Sequence, residues 1–153
     1  MRRLLLMFAL ALTLSAVGAS SALAAAPEGA QKAQLYGPFG FESASCGSGA
    51  YPTPETFGFV VLNTPGDETT LTGEVALKHA APNTTYSVRV AELVPPPLGA
   101  CFERAPGVIT TNKQGNGNLH FTTARVPSAT TFEVKVVSGS LTEVYASSVV
   151  ELD

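Results

Sequence analysis

The sequence predicts an all-β fold, an antiparallel β-sandwich of about seven to eight strands. Short runs rich in Val, Thr, Leu and Phe recur along the chain, each bounded by Gly, Pro, Asn or Ser. Several of these runs alternate apolar and polar residues with the period of a strand. Helical periodicity is nearly absent after the first two dozen residues, while 14 glycines and 11 prolines punctuate the 153 positions.

The chain opens with Met1-Arg2-Arg3, an apolar run over 4–17 and Ala22-Leu23-Ala24. A charged start, an apolar stretch too short to span a bilayer and small residues before a cut read as a secretion signal over 1–24. Residues 25–34 are small and polar and read as a flexible leader. The remainder, 35–153, is one domain with strands expected over 35–41, 56–62, 70–79, 85–93, 107–112, 118–123, 130–137 and 144–152. In the third, Leu71, Val75 and Leu77 share one face while Thr72, Glu74 and Lys78 take the other. In the seventh, Phe132, Val134 and Val136 point to the core, and Glu133 and Lys135 are expected on the wet face. Between the fifth and sixth, Asn112-Lys113-Gln114-Gly115-Asn116-Gly117 supplies the glycines of a hairpin turn.

Composition sets the compartment and excludes some partners. Removing Arg2 and Arg3 with the signal shifts the formal net charge from −3 to −5. A surface that is acidic and poor in lysine argues against nucleic acid and anionic membranes, which need clustered cations. No later segment approaches the ~20 apolar residues of a membrane span. The expected product is a soluble, secreted, extracellular protein. Its two cysteines, Cys46 and Cys101, form an even pair in an oxidising compartment and read as one disulfide. Closing so long a loop is worth about 4 kcal/mol in the chain-entropy estimate. The rival reading, metal-ligand or catalytic thiols, lacks any CxxC spacing.

Pro82-Asn83-Thr84-Thr85-Tyr86-Ser87-Val88-Arg89-Val90 resembles a strand entry of fibronectin type III and related immunoglobulin-like domains. In such domains a Pro-x-Thr-x-Tyr-x-Val-x-Val run passes through a tyrosine corner. The resemblance implies that Tyr86 sends its hydroxyl back to the preceding turn while Val88 and Val90 enter the core. The chain departs from those domains in having no tryptophan. As a whole it is similar to small secreted bacterial β-sandwich proteins. The pattern Thr-Thr-aromatic-x-Val-basic-Val returns at Thr130-Thr131-Phe132-Glu133-Val134-Lys135-Val136, 46 residues later. It marks either a duplication or, the preferred reading, two strands meeting the same demands.

Little in the chain suggests catalysis. His79 and His120 lie in separate strands, no Gly-x-Ser-x-Gly elbow is present, and the carboxylates are scattered. No phosphate-cradling loop, dinucleotide fingerprint or metal-ligand spacing appears, so neither cofactor nor metal is expected. Asn83-Thr84-Thr85 matches a glycosylation acceptor, to which no function is attached. The informative stretches are 42–54 and 94–106, the two longest irregular segments, each with a cysteine near its middle. Within them Tyr51, Pro96, Leu98, Phe102 and Arg104 supply the aromatic, apolar and guanidinium groups common in contact hot spots. The expected function is non-enzymatic: an extracellular recognition or accessory module whose partner is an extracellular protein or a small ligand. One alternative is inhibition of an extracellular protease through the Pro-rich loop 94–106. The other is carriage of a small apolar ligand, as in the antibiotic-binding chromoproteins, which share the sandwich.

Overall fold

The computed structural model describes residues 29–39, 55–66, 69–95 and 99–152. They form nine strands: β1 (Gln31–Phe39), β2 (Thr56–Asn63), β3 (Thr70–Leu77), β4 (Thr85–Leu93), β5 (Cys101–Thr110), β6 (Gly117–Ala124), β7 (Thr131–Ser138), β8 (Val144–Ser147) and β9 (Val150–Glu151). All pairings are antiparallel, and the path runs β5-β4-β7-β8-β1-β2-β3-β6, with β9 beside β7. β1 joins the two halves: it pairs β2 along its first part and β8 along its last, with irregular register in both ladders. The two ends of the path, β5 and β6, are consecutive in sequence, so the sheet curls back until it is nearly closed.

The core is the shared inner face. Leu35, Val60, Leu62, Leu71, Val75, Leu77, Tyr86, Val88, Val90, Phe132, Val134 and Val136 are fully withdrawn from water. Each such side chain contributes roughly 1.5–3 kcal/mol on burial, which is what the alternation in β3 and β4 secures. Tyr86 is completely buried. Its hydroxyl accepts the Ala81 N–H at 3.2 Å, from the turn before β4, and donates to Glu143 Oε2 at 2.5 Å. Its ring meets Tyr145 edge-on, with centroids 5.7 Å apart.

The two copies of the repeated string pair with each other. In the β4–β7 ladder Val88 stands opposite Val136, Arg89 opposite Lys135 and Val90 opposite Val134. Equivalent positions are thus exchanged about a local two-fold axis at Arg89 and Lys135. Both strands lie between two neighbours and face one core, so both require an inward aromatic followed by alternating valines.

Four expectations are corrected. The leader assigned to 25–34 gives up Gln31–Gln34 to β1, where Ala33 is buried. The segment 94–106 is not irregular throughout: β5 begins at Cys101 and pairs β4 from Leu93↔Cys101 onward. The last expected strand is interrupted at Ser148 and Val149, leaving β8 and β9. Glu133 and Lys135 are not on a wet face: each is 1% exposed, and they meet at 3.6 Å. Val137, Val144 and Ala146 are buried on that same side, so β7 and β8 are enclosed on both faces. Charges placed there must pair, and these two do.

Candidate functional site

The β4–β5 hairpin carries the described part of the expected surface. Its ladder extends one step past Cys101, since the Val94 N–H donates to the Ala100 carbonyl at 2.9 Å. Beyond this step Gly99 has a φ of +55°, and its N–H meets the Pro95 carbonyl at 3.4 Å. Cys101 is not a free thiol. Its expected partner Cys46 and the surface residues Tyr51, Pro96 and Leu98 lie outside the described residues.

The structure brings Phe102 and Arg104 together on one side of β5, opposite Glu92 and Val90 respectively. Phe102 is 45% exposed, a large apolar side chain on an end strand of the sheet. Arg104 is less free than a contact tip. Its Nε donates to Glu92 Oε1 at 2.7 Å, and Glu92 is wholly buried. The second carboxylate oxygen, Oε2, accepts the Val126 N–H at 2.6 Å. One carboxylate therefore ties β4 to β5 and to the connection after β6. The neighbouring Arg125 is buried and donates from Nη2 to the Ala129 carbonyl at 2.6 Å, with its guanidinium 5.4 Å from the Phe132 ring centroid.

Sequence reasoning missed Glu92. The signal was available: it continues the inward register Tyr86, Val88, Val90, and a charge in that register needs a partner. Arg104 supplies it.

A cleft of about 240 Å³ lies beside this hairpin, lined by Ser87, Arg89, Glu103, Arg104 and Ala105. Arg89 and Glu103 approach to 3.8 Å across it, each about a third exposed. Such a pair is worth little in water, so the guanidinium and carboxylate are available to a partner. A second cleft of about 180 Å³ sits on the outer side of β2, β3 and β6, lined by Val61, Asn63, Thr72, Glu74 and His120 among others. Glu74 and His120 are direct cross-strand neighbours there. Both clefts mix charged side chains with apolar ones, Ala105 in the first and Ala30 and Val61 in the second.

Burial pushes the phenols of Tyr86 and Tyr145 up from the ordinary tyrosine value. For Tyr86 the hydrogen bond to Glu143 adds to this, and for Tyr145 the charge of Glu143 does so. These phenols are structural groups held protonated. Among the described residues, no three of His, Cys, Asp and Glu stand together to hold a metal ion, and no helix is long and apolar enough to cross a membrane. No family model, curated protein or solved structure matches this chain.

Proposed function

We propose that the chain is a secreted recognition module. In this reading the 1–24 signal is removed and Cys46 is bridged to Cys101. The domain is a sandwich of the immunoglobulin and fibronectin type III kind. Dividing the path at β1 leaves β2-β3-β6 beside β8-β7-β4-β5, and this grouping supports two packed antiparallel sheets. Tyr86, however, starts β4, whereas the corner tyrosine of those domains enters their penultimate long strand.

The observation that carries the reading is the exposed Phe102 on an end strand, on the same side of β5 as the partly exposed Arg104. A half-exposed aromatic beside a partly exposed arginine is the composition of a contact hot spot. The rigid ladder beneath it lowers the entropy lost on binding.

The test is retention of a protein from the medium of the producing cells on immobilised chain, compared with Phe102→Ala. Retention should fall at least several-fold, with the melting temperature nearly unchanged. Equal retention by both would sink the assignment of this surface, and a large loss of stability would make Phe102 a packing residue. Thiol labelling of unfolded, unreduced protein should find no reactive sulfur if Cys46 and Cys101 are bridged.

A further inference from the structure

The β5–β6 turn carries a group that none of the preceding roles uses. Asn112 organises this turn: its Oδ1 accepts the N–H of Gln114 at 2.9 Å and of Asn116 at 3.0 Å. Its N–H donates to the Asn116 carbonyl at 2.9 Å. Asn116 is half-buried and is the one asparagine in the chain followed by glycine. Its side-chain carbonyl Oδ1 accepts the backbone N–H of His79 at 3.3 Å.

We propose that Asn116 is a site of covalent self-modification, losing its amide through a succinimide formed with Gly117. The chemistry requires only water. The Gly117 backbone nitrogen loses its proton to solvent base and attacks Asn116 Cγ. A new N–C bond forms, the Cγ–Nδ2 bond breaks, and Nδ2 leaves as ammonia after taking a proton from water. Water then opens the ring at one carbonyl or the other, giving aspartate or isoaspartate at position 116.

Two features select this asparagine. Gly117 has no side chain to shield its nitrogen from the neighbouring Cγ. The His79 N–H is aimed at the oxygen on which negative charge develops during attack, and a donor fixed there stabilises that charge without reorganising. The other asparagines, Asn63, Asn83, Asn112 and Asn118, precede Thr, Thr, Lys and Leu. Modification places a new negative charge beside His79. In the isoaspartate form it also lengthens the backbone immediately before β6, whose Phe121 packs in the core.

The experiment is ageing of the full chain in warm, mildly alkaline buffer, with peptide mapping by tandem mass spectrometry. Position 116 should convert from amide to acid several times faster than any other asparagine, yielding both aspartate and isoaspartate with release of ammonia. Asn116→Gln should abolish the early acidic species. It is preferred to a Gly117 change, because a Cβ at Gly117 would lie 2.4 Å from Ile109 Cγ2 and could perturb the fold. Conversion first at another asparagine, or an intact amide at position 116 after ageing, would overturn the proposal.

Discussion

A carboxylate withdrawn from water is tolerable only when its oxygens are satisfied, and both oxygens of Glu92 are. The two bonds differ in how they can be lost. The Val126 N–H belongs to the backbone, whereas Arg104 is a side chain that mutation removes. Arg104→Ala leaves Glu92 buried with one oxygen unpaired, so it should cost about 1–3 kcal/mol in chemical denaturation. The value falls below that of a fully enclosed pair because the Arg104 side chain is 36% exposed. Glu92→Gln keeps an acceptor and should cost less than Arg104→Ala; the reverse order would show that charge rather than hydrogen bonding holds the hairpin. Arg104 and Phe102 were legible as surface candidates from residue type alone. Their difference in role was not, because it depends on which neighbour lies across the ladder.

Strand β5 and its turn are where local sequence was least informative. Cys101-Phe102-Glu103-Arg104-Ala105-Pro106 shows no apolar alternation and contains a proline, so nothing local specifies a strand. The ladder to β4 specifies it instead, with a register shift between Val88 and Val90. The opposite error arose in β7, whose charged positions suggested a wet face. A strand enclosed on both faces gives the same pattern when its charges pair, as Glu133 and Lys135 do. The β5–β6 turn, by contrast, was readable. Gly115 adopts a φ of +75°, as the αL position of a three-residue hairpin loop requires, and its carbonyl accepts the Ala80 N–H at 3.1 Å. A Cβ there would stand 2.0 Å from the Ala80 carbonyl oxygen. Gly115→Ala should therefore cost more than about 2 kcal/mol, combining positive-φ strain with a backbone clash. Leu119 of β6 should also lose its close packing over Gly107 of β5, since this turn sets the approach of the two end strands. Equilibrium unfolding of the variant reads the first effect, and amide exchange along β5 and β6 reads the second.

At the scale of the whole molecule, stability is coupled to pH through the tyrosines at the core. Tyr86 and Tyr145 are two of four tyrosines in the chain, and both have phenols raised above the ordinary value of 10.0. Below pH 10 the phenols are protonated in both the folded and unfolded states, and their contribution to stability is fully present. Above it the unfolded chain releases these protons while the folded chain retains them. The unfolded state then binds fewer protons, so stability falls as pH rises. Titration of the native protein should show the phenolate absorption of Tyr86 and Tyr145 appearing only together with loss of the fold. Tyr86→Phe keeps the ring but removes the acceptor for the Ala81 N–H and the donor to Glu143. It should therefore lower stability at neutral pH by about 1–2 kcal/mol. It should also flatten the decline above pH 10, because one of the two retained protons is gone. Early ionisation of both phenols in a still-folded chain would show that the interior admits water at this end. Burial would then not be what holds the phenols protonated.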